Sequence, residues 1–357
     1  MQKTQQSNQK LTRFILIPAF IGAFLGLLVI VVSDPMNDQR PGFAFAVERA
    51  APAVVNIYST KITMRSPLCR LPAYQALCEN FPGEQQVQNS LGSGVIVRED
   101  GLVLTNEHVV AQANEIIVMF ANNQTTTATV IGTDPHTDLA VIKVAASGLP
   151  VIPTLAEERP RVGDVALAIG NPFGLGHSVS QGIISAFSRS VITNSPYDDF
   201  IQTDAAISPG NSGGALVNHE GRLLGINTMI YSKSGGSEGI GFAIPADIAL
   251  SVMEQIVANG RVIRGWLGVN LRLQPLPGGS TGLEVRGVQR GGPAQQAGIA
   301  AGDFILSVNQ IRADNAYRVT DLIANTMPGE PIDLEVMRDE RRFRTTAYAG
   351  ELPVPGS

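Results

Sequence analysis

With 357 residues, the chain has room for two or three domains of ordinary size. Its net charge is −5, and no cluster of Lys or Arg lies beyond the first residues, which excludes the basic stripe of a nucleic-acid binder. Hydrophobic residues at 44% against charged residues at 16% exclude a disordered chain and suit a globular one with a single greasy segment.

That segment comes first. Phe14 to Val32 reads FILIPAFIGAFLGLLVIVV, carries no charge, and is long enough to cross a bilayer core of ~30 Å as a helix. Lys3, Lys10 and Arg13 precede it, while Asp34 and Asp38 follow, so the positive-inside rule places the N-terminus in the cytoplasm and everything past residue 33 outside. The competing reading is a cleaved signal peptide. It requires a shorter apolar run with small residues close behind, whereas Ala44-Phe45-Ala46 sits well past the end of this one. An uncleaved anchor is the reading adopted here.

Residues 34–46 are polar and turn-rich and read as a tether. From Ala50 onward come short apolar runs (AVVNIYS, SGVIVRE, GLVLTNEHVV, EIIVMF, ATVIGT, LAVIKV, DVALAIG), separated mostly by Gly, Asn, Asp or Pro, the pattern of a β-sandwich or barrel. The stretch 64–90 breaks this rhythm and is expected to be a long loop. It holds both cysteines, Cys69 and Cys78, nine positions apart. No histidine lies at zinc-ligand spacing to them, so no metal is expected; they are either two free thiols or a local disulfide, and an extracytoplasmic position favours the disulfide. Further on, Pro245–Asn259 shows helical spacing at Ile248, Met253, Ile256 and Val257, with Gly260 as its stop.

The chemistry concentrates in three places. Pro209-Gly210-Asn211-Ser212-Gly213-Gly214 offers a serine flanked by small residues, as a nucleophile on a tight turn needs if backbone N–H groups are to approach a developing oxyanion. By itself such a segment is also an ordinary glycine-rich turn. Of the four histidines, His108 lies at the end of an apolar strand in TNEHVV, a rigid mount for a general base. His136, His177 and His219 fall in turns or loops. The orienting carboxylate is Asp138, which opens the run DLAVI; Asp134, ahead of Pro135, is the competitor. The chain order His, Asp, Ser is the chymotrypsin order, and the G-x-S-x-G elbow of α/β-hydrolases is absent.

TNEHVV, TDLAV, GNPFG, FIQTDAAISPGNSGGALV and GIGFAIP together resemble the HtrA family of serine proteases, over nearly everything from Ala50 to the end. With one anchor and one C-terminal module, the chain is most similar to the membrane-anchored, DegS/AlgW-like branch. The resemblance implies a mainly β fold: a chymotrypsin-like double β-barrel followed by one PDZ domain, behind an N-terminal transmembrane helix. The implied domains are a cytoplasmic tail (1–13), the anchor (14–32), a linker (33–48), the protease (49–260), the PDZ domain (261–351) and a tail (352–357). The implied roles are Ser212 as nucleophile, His108 as general base and acid, and Asp138 as its orienting partner. The oxyanion hole falls on Gly210 and Ser212, with Asn211 between them. Leu224, Gly225, Ile226 and Asn227 line the primary specificity pocket; none is acidic, which speaks against cleavage after Lys or Arg. No cofactor is implied. Glu107 departs from the family pattern, and so does the cysteine-bearing loop.

Arg264-Gly265-Trp266-Leu267-Gly268-Val269 resembles the carboxylate-binding loop of PDZ domains, in which a nest of backbone N–H groups captures a terminal carboxylate. Alone it is a β-turn. GLEV at 282–285, GPA at 292–294 and GDFIL at 302–306 follow in the PDZ order, and Tyr317–Asn325 is the expected groove helix. In the resembled branch the residue matching Arg189 couples the PDZ domain to the active site. The resemblance also implies a homotrimer at the bacterial inner membrane with both domains in the periplasm. Its implied partners are the C-termini of misfolded outer-membrane proteins and a membrane-bound anti-sigma factor as substrate. Two other functions compete. An idle PDZ scaffold or chaperone is expected to have lost part of the triad, and a general periplasmic quality-control protease or chaperone of the soluble type is expected to have two PDZ domains and no anchor.

Overall fold

The computed structural model describes residues 42–65, 84–155, 160–171, 176–189, 199–208, 210–230, 239–276 and 281–353. The anchor segment 14–32 and the pair Cys69 and Cys78 lie outside them. No helix among the described residues is long and apolar enough to cross a membrane.

Two closed six-stranded barrels form the first part of the fold. The first contains β1 (Val54–Arg65), β2 (Glu84–Arg98), β3 (Leu102–Thr105), β4 (Glu115–Met119), β5 (Thr125–Asp134) and β6 (Leu139–Val144), in the order β1-β2-β3-β6-β5-β4. The second contains β7 (Val165–Gly170), β8 (Ser178–Arg189), β9 (Asp199–Thr203), β10 (Ala215–Val217), β11 (Leu223–Ile230) and β12 (Gly241–Pro245), in the order β10-β11-β12-β9-β8-β7. Closure removes the unpaired edges that strands of this length would otherwise present. Leu104, Ile142 and Val141 in one barrel and Ile169, Ile184, Ile201 and Leu216 in the other are fully buried.

Two sequence expectations shift. A helix α1 (Ala44–Ala50) occupies the end of the expected tether, with Ala46 and Ala50 fully buried. The expected loop 64–90 is shorter, because β1 and β2 stay paired as far as Arg65 and Glu84. Cross-strand pairing continues past the point where the apolar rhythm breaks.

After a one-turn helix α2 (Glu107–Val110) in the first barrel, the next helix is α3 (Ala246–Asn259), stopped as expected by Gly260 in the left-handed conformation (φ 74°). Its buried stripe is Ala249, Val252, Met253 and Ile256; Val257, expected inside, is exposed. α3 packs on β5 where Gly132 follows a register shift, and the missing side chain there admits the carbonyl of Gly260.

The second part comprises β13 (Gly265–Trp266), β14 (Val269–Pro275), β15 (Thr281–Val288), α4 (Pro293–Gln296), β16 (Phe304–Val308), β17 (Ile311–Arg312), α5 (Ala316–Ala324), β18 (Pro331–Arg338), β19 (Arg341–Tyr348) and β20 (Gly350–Glu351). The main sheet runs β14-β15-β16-β18-β19, so β14 is an edge with one side unpaired, and α5 packs beside it. Leu283, Val285, Ile305, Val319, Ile332 and Val336 form its own core.

Gly132→Ala is expected to destabilise the protein by about 1–3 kcal/mol, the usual cost of overpacking, because its Cβ falls 2.4 Å from the Gly260 oxygen and 2.8 Å from Ile256 Cγ2. The denaturation midpoint measures this.

Candidate active site

Asp138 stands at the end of the β5–β6 turn in the left-handed region (φ 55°), a conformation Asp tolerates better than most side chains. This pose turns its carbonyl and its carboxylate towards the same short segment. The carbonyl accepts from Asn106 Nδ2 at 2.9 Å and from the Glu107 N–H at 3.1 Å. Oδ1 accepts from the His108 N–H at 3.1 Å, and the His108 ring meets both oxygens through Nδ1, at 2.9 and 2.8 Å. A carboxylate only accepts, so Nδ1 carries the proton and the Nε2 lone pair is available as a base.

Thr228, which the sequence reading passed over, completes this arrangement. It sits where the β11–β12 register shifts between Asn227 and Met229. Its hydroxyl donates to Asp138 Oδ2 at 2.7 Å, and its carbonyl accepts from Ser212 Oγ at 2.9 Å. One bulged residue therefore touches both the carboxylate and the nucleophile candidate. Among the described residues no hydrogen bond joins Ser212 to His108, so the hydroxyl must rotate before it can pass on its proton.

The turn bearing Ser212 is gripped by both barrels. Ser93 of β2 donates through its N–H to the Ser212 carbonyl (2.8 Å) and through Oγ to the Gly210 carbonyl (2.7 Å). A Cβ on Gly213 would stand 2.1 Å from the Ser93 oxygen, and one on Gly214 would stand 2.3 Å from the Ile169 oxygen. Gly213 is also left-handed (φ 83°), so no other residue fits there without strain. The N–H groups of Asn211, Gly213 and Gly214 are taken by Ser208, Asn227 and Asn211 carbonyls. Those of Gly210 and Ser212 have no acceptor among the described residues, while the Asn211 N–H is spent within the turn.

Burial disfavours charge on the His108 imidazole, but the Asp138 carboxylate, hydrogen-bonded to it, and the nearby Glu107 outweigh this and raise its pKa above the ordinary histidine value. Burial and repulsion from Asp138 likewise raise the Glu107 carboxyl, against the pull of His108.

The other expected site residues fall as follows. Leu224 and Ile226 are buried in β11, Leu224 within the second barrel's core cluster, and Asn227 Nδ2 donates to the Ala215 carbonyl at 3.1 Å. Ile207, not foreseen, packs within 3 Å of where a Gly241 side chain would begin. Arg189 ends β8, opposite Asp199. Asp134, the rival carboxylate, is buried and bound by both terminal nitrogens of Arg264 at 2.8 and 2.7 Å, across the junction with the second part of the fold. His136 lies beside the Pro353 carbonyl and His177 beside that of Val54, at 3.3 and 2.8 Å, while His219 is exposed.

In the second part, Leu267 is buried beneath the loop Trp266–Val269, Gly268 is left-handed, and the N–H groups of Leu267 and Gly268 have no acceptor among the described residues. The loop thus presents free donors beside the open edge of β14.

Residues 92–226 match the model of the trypsin-like peptidase domain, and residues 255–337 that of the PDZ domain. The serine endoprotease DegS of Escherichia coli K12 is 40% identical over 96% of this chain and 98% of its own length. The chain belongs to the HtrA-type serine endopeptidases. A solved HtrA-type protease, AlgW with decapeptide, superposes with a TM-score of 0.77 at 45% identity, covering 88% of this chain and all of that one. A probable periplasmic DegP-like endoprotease of Ectopseudomonas mendocina is 41% identical, but only 72% of its length is matched. For an HtrA-type endopeptidase the double barrel and PDZ domain are the family fold.

Two outcomes are expected. Thr228→Val should lower kcat/KM by about ten- to a hundredfold, the weight of a hydrogen bond to a charged partner, with circular dichroism unchanged. The acid limb of the pH–rate profile, where His108 gains its proton, should lie above that of an ordinary histidine; Glu107→Gln should move it down, since it removes a charge that favours the imidazolium.

Proposed function

We propose that the chain is a peptide-regulated, site-specific endoprotease of the bacterial envelope in which Ser212, His108 and Asp138 are the catalytic triad. The observation that carries this is the Asp138 carboxylate, which holds the His108 ring at 2.8 Å and is itself held by Thr228, the residue on which the Ser212 hydroxyl rests. When the hydroxyl turns to His108, Oγ attacks the scissile carbonyl carbon and its proton passes to Nε2. Negative charge develops on the carbonyl oxygen and is met by the Gly210 and Ser212 N–H groups. Collapse of the tetrahedral species breaks the C–N bond, and the amine leaves with the proton from Nε2. Water then repeats the cycle on the acyl-enzyme. Asp138 keeps its charge throughout and stabilises the imidazolium.

In this reading the primary pocket lies against the β11 segment Leu224–Asn227 and is shallow, because Ile207 lies against Gly241. Neither segment offers an acid, which favours small or medium apolar side chains at the cleaved bond. The loop Trp266-Leu267-Gly268-Val269 takes a C-terminal carboxylate, and the peptide adds to the open edge of β14. The buried pair Asp134–Arg264 joins this module to the turn that ends at Asp138, a path by which peptide occupancy reaches the triad. Arg189, at the end of β8, is proposed as a second element of that path.

The finer reading follows the resemblance to the anchored branch. The enzyme stands in the inner membrane through residues 14–32 as a homotrimer with its domains in the periplasm, is activated by C-termini of misfolded outer-membrane proteins, and cleaves a membrane-bound anti-sigma factor. The 40% identity to the serine endoprotease DegS along 96% of this chain supports this reading.

Ser212→Ala should abolish cleavage of a denatured protein substrate without loss of fold; turnover near wild type refutes the triad. A peptide with a free C-terminus should activate the wild type by roughly 5–150-fold, and its C-terminal amide should activate far less. Deleting residues from Val262 onward should raise basal activity and remove the peptide response. An inert truncation whose full-length parent still responds would show that the PDZ domain is an activator and not a brake.

A further inference from the structure

Glu107 is held as rigidly as the triad. The residue before it, Asn106, donates to the Asp138 carbonyl through its side chain. Glu107 donates to the same carbonyl through its N–H, and His108, the residue after it, donates to the Asp138 carboxylate through its own. Three successive residues are thus anchored on one, and the Glu107 side chain leaves the backbone one position from the reacting imidazole. It is partly exposed and has no hydrogen-bond or ion-pair partner among the described residues.

Among the described side chains of the strands that α2 packs on, no cation meets Glu107. Lys61 of β1 donates to Gln112, Arg98 of β2 pairs with Asp100 at 2.6 Å, and Lys143 of β6 pairs with the same Asp100 at 3.2 Å. β5 contains no Lys or Arg, and its one acid, Asp134, is bound by Arg264. The other charges beside Glu107 are Asp138, which repels it, and His108, which must be neutral to act as a base. A partly desolvated carboxylate next to a second one, with no permanent positive neighbour, is a site short of one cation.

We propose that Glu107 is a specificity-determining residue that receives a lysine or arginine side chain of the substrate, within about three residues of the scissile bond. This rests on the protease reading above. The primary pocket still takes an apolar side chain, and the cation lies at a neighbouring position. Unlike the triad, this preference is a property of a rim charge, so it should be screened by salt.

The test is a set of fluorogenic peptides that share one cleavable core and carry a single Lys or Glu at each of the three positions on either side of the bond, cut by the full chain. The wild type should prefer Lys over Glu at one position by about fivefold in kcat/KM at low salt, and the preference should shrink in high salt. Glu107→Lys should reverse it at that same position, and the near-isosteric Glu107→Gln should erase it without reversal. Equal cleavage of Lys and Glu peptides by the wild type overturns the proposal alone. So does a Glu107→Lys or Glu107→Gln effect that is the same factor for every peptide, since Glu107 would then act only on His108. Absence of any Ser212-dependent cleavage fells the protease reading, and the proposal with it.

Discussion

The Asp138 carboxylate is the post on which the site hangs. One side chain in an uncommon backbone conformation accepts from the His108 ring, the His108 main chain and the Thr228 hydroxyl, while its own carbonyl fixes Asn106 and Glu107. A carboxylate in so many charge-assisted contacts cannot shift without moving the base it orients. The imidazole is therefore positioned from the first barrel, and the second barrel reaches across through Thr228 to hold the same oxygen. This contact joins the two separately closed barrels at the candidate site.

The nucleophile turn obeys the complementary constraint. It belongs to the second barrel but is held by Ser93 of the first, and its glycines are needed because backbone oxygens of both barrels come within van der Waals distance of where side chains would start. Small residues around Ser212 thus serve the packing of the barrel seam as much as access to the oxyanion. The same seam explains why the Gly210 and Ser212 N–H groups stay unspent while their neighbours are bonded within the turn.

Much of this was legible from residue order and spacing. The sequence singles out Ser212 by its glycine-flanked turn, His108 from four histidines and Asp138 against its competitor Asp134, and the PDZ domain by short motifs that follow in order; the fold brings the three side chains together around Thr228. What stayed hidden depends on register and long-range contact. Thr228 acts through a β-bulge, Ser93 through pairing across the seam, and Asp134 looked like a turn acid until Arg264, 130 positions later, met it inside the fold. In α3 helical spacing alone does not separate Ile256, which is buried, from its neighbour Val257, which is exposed.

The part-buried Asp134–Arg264 ion pair extends this set of contacts towards the PDZ domain. Asp134 and Asp138 bracket one short turn; the first is bound by Arg264, two positions before the loop Trp266–Val269, and the second holds the His108 ring. The central claim is that this turn carries PDZ occupancy to Ser212. The most direct measurement is the rate at which an organophosphorus reagent labels Ser212 as a C-terminal peptide is added, in the wild type and in the double variant Asp134→Asn with Arg264→Met. Peptide should accelerate labelling several-fold in the wild type and little in the double variant, whose basal rate should already be raised. Equal acceleration in both would contradict it.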